Sequence, residues 1–495
     1  MNAWILLLPI CLPIVCGLLL LIPGYLQRPA VRRTLLGAAL ALQTAWVVLV
    51  ALQPDVSFTL FYVTDKLPLT LRVDAMARIF SVLSAVMFLA VGIYSFEYMK
   101  HEQNERRFFL FYLIVSGMLS GLAYSGNMMT LYLFLEAITL FSVPLVLHTR
   151  TKEAIAAAFK YLFYSVGGAS LALVGFFFVY TYGSTLEFMP GGVLDASKLA
   201  GNETAMLVAT LVTIVGFGAK AGMFPLHAWL PAAHPVAPAP ASAVLSGVIT
   251  KAGIFATMRF VFQLVGTEFI RNTFVQYTWI VLALFAVLMG SVLAYREPLL
   301  KTRLAYSSIS QVSYIQFGLA TLTAAGVLGG TLHMVFHSIM KDALFMAAGV
   351  VIYKTGTTRV DELHGLGKRM PVTIWCFTLL GVALVGIPPA GGFVSKWQMA
   401  VGALSSNIGI FTWLGPAVLL LSALLTAGYL FPISISAFFS GGTSSGSMLE
   451  STKTDFSMLF PLVILTAFTF LLGMLPGGLG SLLSSWTTAA FLPIT

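Results

Sequence analysis

Long apolar runs alternate with short polar segments along almost the whole chain. A window of about 19 residues, close to the length that crosses the hydrocarbon core of a bilayer, separates about fourteen such runs. We predict membrane-spanning helices near residues 2–23, 34–53, 78–98, 108–124, 129–147, 154–182, 204–231, 240–263, 276–294, 304–322, 326–351, 372–403, 412–436 and 458–476. The pattern predicts an all-α, polytopic membrane protein that forms a single domain over residues 1–495.

The seventh and twelfth runs are too long and too interrupted to be straight helices. Three glycines lie between Gly216 and Gly222 with Pro225 just beyond, and the stretch from Gly386 to Phe393 contains two adjacent prolines. Glycine weakens a helix and proline removes a backbone donor. Irregular backbone at membrane depth is tolerated only inside protein or along a wet cavity, so these breaks predict interior sites. Ordinary kinks without a function are the alternative.

The two breaks are five predicted spans apart, and an odd offset reverses the direction of crossing. Paired broken helices in oppositely oriented halves are typical of transporters built from inverted repeats. We therefore predict two inverted five-helix repeats, the first at about 108–263 and the second at about 276–436.

The loop charges predict an orientation. With the N-terminus outside, the inner loops hold sixteen Lys and Arg, one of them Lys453. The outer segments hold five, one of them Lys66. Positive loops stay on the cytoplasmic side, so both termini are expected outside the inner (cytoplasmic) membrane. The first apolar run lacks a basic leader and a small-residue cleavage site, which predicts a retained span. The outer loops 54–77 and 183–203 are interpreted as surface cover.

The composition narrows the class of function. Hydrophobic residues make up 58% of the chain and charged residues 9%, and the mean hydropathy is +0.93. In this setting the net charge of +9 is loop charge, so no nucleic-acid partner is expected. The three cysteines form no CxxC pair and have no histidine at metal-ligand spacing. The sequence predicts no cofactor or metal, and no redox or hydrolytic site.

Three lysines, Lys220, Lys251 and Lys396, lie deep inside apolar runs. A charge at the middle of a membrane helix costs about 2.5 to 3.5 kcal/mol even on insertion scales, so such residues indicate an ion path. Glu136 lies roughly 10 Å below the outer end of its helix, at 1.5 Å per residue, and needs a partner. Lys220 is the first choice, because an ion pair lowers the cost of burying both charges. Lys251 has no acid in its own helix and is predicted to load and release a proton.

His333, His337 and Lys341 recur every four residues and therefore share one helix face, with about 6 Å between steps. Histidine titrates near neutrality and can pass protons along such a row. The alternative for each histidine is a hydrogen bond between helices. Asp342 could simply neutralise Lys341.

Three other charges have simpler interpretations. Lys160 is near enough to an inner helix end to reach the headgroups, and Arg259 and Glu97 are interpreted as boundary residues.

The stretch Lys220 to Gly253, KAGMFPLHAWLPAAHPVAPAPASAVLSGVITKAG, resembles the fingerprint of the antiporter-like proton-translocating subunits. These are the large pumping subunits of respiratory complex I, their relatives in membrane-bound hydrogenases, and the A-type and D-type subunits of Mrp Na+/H+ antiporters. The resemblance extends over most of the chain, at Leu135-Glu136, Ala158 to Tyr161, Arg303 to Gln311, His333 to Lys341 and Gly386 to Lys396.

The resemblance implies a role for each buried residue. Glu136 would pair with Lys220 and control its proton affinity. Lys251 would be the central relay, followed by His337 and His333, with Lys341 on the same face. Lys396 would exchange protons with the outer side. Lysine at 396 and the lack of a long lateral helix look most similar to the D-type Mrp subunit or a hydrogenase-associated homologue.

The resemblance implies a proton-translocating subunit, with Na+ exchange left open, that works among other hydrophobic subunits of a membrane complex. The broken helices also fit a rival function, a stand-alone secondary transporter of a small solute coupled to protons.

Overall fold

The computed structural model describes residues 3–24, 28–64, 67–439 and 454–489, and most of them are helical. The helices in chain order are α1 (Leu8–Leu19), α2 (Pro29–Ala51), α3 (Ala75–Tyr98), α4 (Glu105–Ala123), α5 (Met128–Val146), α6 (Lys152–Tyr182), α7 (Ala196–Leu199), α8 (Glu203–Ala221), α9 (Leu230–Val236), α10 (Ala239–Val244), α11 (Thr250–Phe260), α12 (Thr267–Ile270), α13 (Phe274–Arg296), α14 (Leu300–Ala320), α15 (Ala324–Thr355), α16 (Leu366–Arg369), α17 (Pro371–Val385), α18 (Gly391–Ser405), α19 (Phe411–Phe439), α20 (Phe456–Met474) and α21 (Pro476–Ala489). Two π-helical segments, Leu245–Ile249 and Val261–Val265, make α10 and α11 parts of one continuous rod. Short 3-10 turns lie at Ala3–Leu6 and Val360–Glu362.

Within the described ranges, 11 helices are long and apolar enough to cross a membrane. The other predicted spans correspond to the short α1, to α14, whose inner face is rich in serine and glutamine, and to the broken pair α17 and α18. The prediction of a polytopic, mainly helical membrane protein is confirmed. The number fourteen remains a prediction.

The structure corrects the all-α prediction in the loop 54–77. Strand β1 (Val56–Thr64) pairs antiparallel with β2 (Leu67–Val73), and Val56 lies opposite Val73. The sequence VSFTLFYVT in β1 is rich in the aromatic and β-branched residues that favour a strand, and this signal was missed. Lys66 and Lys453 lie outside the described residues.

The segments predicted for the outer side meet at one end of the helix bundle. The backbone amide of Arg72 in β2 donates to Tyr124 after α4 at 2.6 Å, and that of Phe188 donates to Gly126 at 3.2 Å. Loop 183–203 also reaches the end of the α10–α11 rod, where the Val193 amide donates to the Leu264 carbonyl at 2.8 Å. Since these loops follow alternate helices, successive helices run in opposite directions.

Both predicted helix breaks are confirmed. Helix α8 ends at Ala221, where Gly222 takes a left-handed φ of 78°, and the next helix begins at Leu230. Helix α17 ends before Gly386, with φ 93°, and α18 begins at Gly391. A side chain at Gly222 or Gly386 would be strained, because left-handed backbone favours glycine.

Glycines also bring the helices around the first break into close contact. A Cβ on Gly168 of α6 would lie 2.6 Å from the carbonyl oxygen of Gly216 in α8. A Cβ on Gly253 of α11 would lie 2.5 Å from the carbonyl oxygen of Phe217 and 3.1 Å from the Lys220 Cβ. Small residues allow such close packing of membrane helices, and here it sets α11 directly beside Lys220.

Candidate functional site

Lys220 lies in the last turn of α8 and is 3% exposed. Its ammonium donates to the Thr139 hydroxyl at 2.8 Å and to the Tyr161 hydroxyl at 2.7 Å. It also lies 4.8 Å from the centre of the Tyr161 ring, and the Tyr161 hydroxyl contacts that of Ser142 at 2.7 Å. The ammonium is therefore held by uncharged oxygens from α5 and α6.

Glu136 is close to Lys220 without touching it. It lies three residues before Thr139 on α5, is half-buried and interacts electrostatically with Lys220. Among the described residues Glu136 forms no direct ion pair. The two predicted partners are neighbours across a gap, and the hydroxyls of Thr139 and Tyr161 occupy the ammonium.

Lys251 is fully buried immediately after the first π-helical segment. Its ammonium donates to the Ser246 carbonyl at 2.5 Å and lies 3.5 Å from the Thr250 hydroxyl. The Ser246 side chain contacts the Ser308 hydroxyl at 2.6 Å, which ties the segment to α14. A π-helical turn loosens the regular backbone ladder, and such turns are frequent at functional sites.

His333 bridges α14 and α18. Its Nδ1 is 2.9 Å from the Ser395 hydroxyl, and its Nε2 is 2.9 Å from the Gln311 side-chain oxygen. Its ring stacks on that of His337, with centroids 5.8 Å apart and planes 4° from parallel. The predicted shared helix face therefore brings the two imidazoles together.

His337 is fully buried, and neither ring nitrogen has a hydrogen-bond partner within the described part of the chain. Leaving a buried polar group unsatisfied costs about 1 to 3 kcal/mol. The ring interacts electrostatically with Lys251, Lys341 and Lys396 as well as His333. His337 therefore lies where the lysines converge.

Lys341 shares the helix face with the histidines and binds α14. Its ammonium donates to the Leu304 carbonyl at 2.9 Å and to the Ser307 hydroxyl, both on α14. It forms no ion pair with Asp342 among the described contacts, so the interpretation of Asp342 as its neutralising partner finds no support.

Lys396 binds across the second helix break. From α18 its ammonium donates to the carbonyls of Leu384 at 2.7 Å and Val385 at 3.1 Å, the last residues of α17. It also lies 4.7 Å from the centre of the Tyr314 ring. Unpaired carbonyls at a helix C-terminus attract a cation, so Lys396 stabilises the broken end.

The predicted residues form two groups. Lys251, His333, His337, Lys341 and Lys396 interact with one another around α15. Glu136 and Lys220 form a separate pair, which is joined to the first group by the packing of α11 on α8.

Sequence reasoning missed the uncharged polar partners. Tyr161 contacts Lys220, and both Gln311 and Ser395 contact His333. His234 on α9 is fully buried, stacks on Phe345 with centroids 4.6 Å apart and has no partner on either ring nitrogen within the described chain. The motif AHPVAPAP around His234 was the available signal.

Arg259 is fully buried instead of lying at a lipid boundary. It contacts both carboxylate oxygens of Asp74, the cap of α3, at 2.5 and 2.9 Å. It also donates to Gln263 at 2.7 Å. This ion pair links the C-terminal end of the α10–α11 rod to the start of α3.

The fold and the buried row define a polytopic membrane protein with ionisable side chains inside its bundle. The family model described as "NADH:quinone oxidoreductase/Mrp antiporter, TM" matches residues 125–426. A second, "NADH-Ubiquinone oxidoreductase (complex I), chain 5 N-terminus", matches residues 61–109. The chain belongs to this NADH:quinone oxidoreductase/Mrp antiporter family of membrane proteins.

Relatives of both kinds resemble the chain over most of its length. It is 31% identical over 432 residues to the N subunit of an NADH-quinone oxidoreductase from Desulforudis audaxviator, covering 84% of each protein. It is 32% identical over 412 residues to the D subunit of a Na(+)/H(+) antiporter from Bacillus subtilis, covering 82% of this chain and 80% of that one. A chain in the Mrp complex of a Dietzia species has the same fold, with a TM-score of 0.85, 22% identity and coverage of 98% of this chain and 97% of that one.

Proposed function

We propose that this chain is a proton-translocating subunit of a multisubunit membrane complex. The observation that carries the proposal is the row of buried ionisable side chains from α5 to α18. Buried charges in a membrane protein are costly and therefore indicate function. Lys220, Lys251, His337 and His333 are buried, with Lys341 beside them, and the half-buried Glu136 and Lys396 lie at the two ends of the row.

The proton enters from the inner side and protonates Lys251, then passes through His337 and His333 to Lys396, which releases it outward. The contact between His333 and the Ser395 hydroxyl supports the last step of this path, because Ser395 and Lys396 are adjacent on α18. The His337 ring lies next to that of His333, with centroids 5.8 Å apart. Histidine can accept a proton on one ring nitrogen and release one from the other.

A cavity at the predicted inner end supports uptake there. It measures about 270 Å³ and lies under the first helix break, between Lys160, His227 and Tyr306. Its polar lining residues, Lys160, His227, Thr302 and Tyr306, and its volume suit several waters, which a proton needs to reach the buried row. Lys160 then has a second interpretation besides reaching the headgroups: it lines the uptake site.

Glu136 and Lys220 act as a switch. In one state the Lys220 ammonium is held by Thr139 and Tyr161, and in the other it closes the gap to Glu136. At about 5 Å and an effective dielectric constant near 20, moving one unit charge changes the energy of a neighbouring charge by roughly 3 kcal/mol. That change is enough to switch a lysine between its loaded and empty states.

The proposal includes the finer topology. About fourteen spans include two inverted five-helix repeats, at about 108–263 and 276–436, and both termini lie on the outer side of the cytoplasmic membrane. The presence of one helix break in each range, after α8 and after α17, supports this division. The excess of Lys and Arg in the inner loops supports the orientation.

The test is driven proton movement in membrane vesicles that contain the assembled complex. We expect Lys220→Ala and Glu136→Ala to abolish it while the protein still inserts and assembles. Lys198→Ala, which removes an exposed lysine, is the matched control and should transport normally. Wild-type transport in both site variants would refute the switch.

The rival function, a stand-alone transporter of a small solute, is tested by purification. A subunit leaves the membrane together with other hydrophobic chains and is inactive alone in liposomes. Transport by the isolated chain would favour the rival. Adding sodium to the vesicles distinguishes two kinds of transport. Sodium should increase the rate of proton movement if the complex exchanges Na+ for protons, and should leave that rate unchanged if the complex pumps protons alone.

A further inference from the structure

Asp342 on α15 has no role in the path described above, although it is an acid in the interior of the bundle. It is fully buried, and neither carboxylate oxygen has a hydrogen-bond partner among the described residues. Lys341 precedes it but binds α14. An unpaired carboxylate in an apolar interior is very costly, so this group must either carry a proton or be balanced by a nearby cation.

The carboxyl group of Asp342 rests directly on the π-helical segment before Lys251. A Cβ on Gly247 would lie 1.7 Å from one carboxylate oxygen, so only glycine fits at that position. The carbonyl of Ser246, the neighbour of Gly247, receives the Lys251 ammonium. The Asp342 carboxyl group on α15 and the Lys251 ammonium therefore lie against neighbouring residues of the same turn of the rod.

Lys251 is the cation that faces Asp342, and the two interact electrostatically without closing an ion pair within the described structure. Tyr112 of α4 also faces the carboxyl group, but its hydroxyl donates to the Phe88 carbonyl at 2.7 Å. The Lys251 ammonium is held by the Ser246 carbonyl instead. Release from that carbonyl would free it to reach the acid.

We propose that Asp342 is a proton-carrying residue that exchanges a proton with Lys251, an inference that rests on the proposed function. The Lys251 ammonium gives its proton to the Asp342 carboxylate, which leaves a neutral amine and a neutral carboxylic acid. The reverse transfer restores the ion pair. In both states the buried pair has no net charge, which limits the cost of holding it inside the bundle.

The test uses Asp342→Asn in the assembled complex. Asparagine has nearly the same shape but cannot ionise, and loss of a positioned proton carrier lowers a rate by about a hundredfold or more. Gly247→Ala is a second variant, since its methyl group displaces the carboxyl group while Asp342 remains. Asp361→Asn, which removes an exposed acid paired with Arg359, is the control and should retain wild-type proton movement.

Infrared difference spectroscopy separates proton carrying from a structural role. The wild-type complex should show a buried carboxylic-acid band that changes during proton movement, and Asp342→Asn should lack it. A slow variant that retains the band would overturn the inference. If Asp342→Asn does not assemble, absence of the band from the wild-type complex overturns it as well.

Failure of the inference is distinguishable from failure of the proposed function. If Asp342→Asn transports normally while Lys251→Ala does not, Asp342 carries no proton and the row still conducts. If the wild-type complex moves no protons, the proposed function itself is wrong, and the inference falls with it.

Discussion

The Lys396 ammonium donates a 2.7 Å hydrogen bond to the carbonyl oxygen of Leu384, across the break between two half-helices. Lys396 therefore belongs to the proposed path and also provides the hydrogen-bond donor for the last carbonyls of α17. A proton that leaves Lys396 weakens this contact, because hydrogen bonds from a charged donor are roughly twice as strong as neutral ones. On the proposed path, proton release at Lys396 would therefore be coupled to the geometry of the second broken helix.

Substitutions at Lys396 should separate stability from transport. Lys396→Ala leaves the carbonyls of Leu384 and Val385 unsatisfied, which costs about 1 to 3 kcal/mol each, and should lower both thermal stability and proton movement. Lys396→Arg keeps a permanent charge and should retain most of the stability but lose transport, since arginine does not release its proton. Thermal unfolding and vesicle assays measure the two effects. Transport by Lys396→Arg at the wild-type rate would contradict a proton-exchanging role.

Tyr161→Phe should slow proton movement by roughly tenfold or more. It removes one of two hydroxyls that hold the Lys220 ammonium, and a hydrogen bond to a charged group contributes about 1.5 to 3 kcal/mol. Lys220 should then move toward Glu136 and remain there. Initial rates in vesicles measure the effect, with the exposed Tyr180→Phe as the control. Equal rates for both variants would show that the hydroxyl is not part of the switch.

Ser395→Ala should slow transport by a few-fold to about tenfold. Its hydroxyl is the contact between His333 and the helix that carries Lys396, and a neutral hydrogen bond contributes about 0.5 to 1.5 kcal/mol. Ser405→Ala on the exposed face of the same helix is the control. A rate for Ser395→Ala equal to that of this control would rule out a relay through the hydroxyl.

Asp74→Asn should destabilise the folded protein by about 3 to 5 kcal/mol, because it leaves Arg259 as a buried, uncompensated charge. Asparagine can still cap α3, so the lost charge is the main change. Thermal unfolding in detergent measures the cost. Asp55→Asn breaks the more exposed pair with Arg78 and should cost no more than about 1 kcal/mol. Equal losses in the two variants would contradict the importance of the buried pair.

The same pair predicts a pH dependence. Burial by itself raises the pKa of Asp74, but the Arg259 guanidinium beside it holds the pKa below the usual value for aspartate. The stabilisation is therefore complete above the unfolded pKa of about 4 and is lost as the pH falls through the lower folded pKa. Unfolding measured against pH should show this acid-side loss in the wild-type protein and a smaller one in Asp74→Asn.

Much of the architecture was predictable from the sequence. Apolar runs of helical length identify membrane segments because lipid cannot satisfy an open backbone, and the glycine and proline clusters after Lys220 and before Lys396 mark the breaks for the same reason. The exception was the hairpin Val56–Val73, because the interpretation of loop 54–77 as surface cover overlooked the β-branched and aromatic pattern of a strand.

The sequence by itself determined the apolar segments of membrane-spanning length and most of the charged residues that lie within them, since both follow from the cost of placing polar groups in lipid. Only the tertiary structure decided what each charge contacts. The helix period gives His333, His337 and Lys341 one face, yet Lys341 binds α14. Glu136 stops short of Lys220, which the hydroxyls of Thr139 and Tyr161 hold instead. Helical spacing fixes a residue's face on its own helix, whereas the packing and rotation of neighbouring helices select its partner.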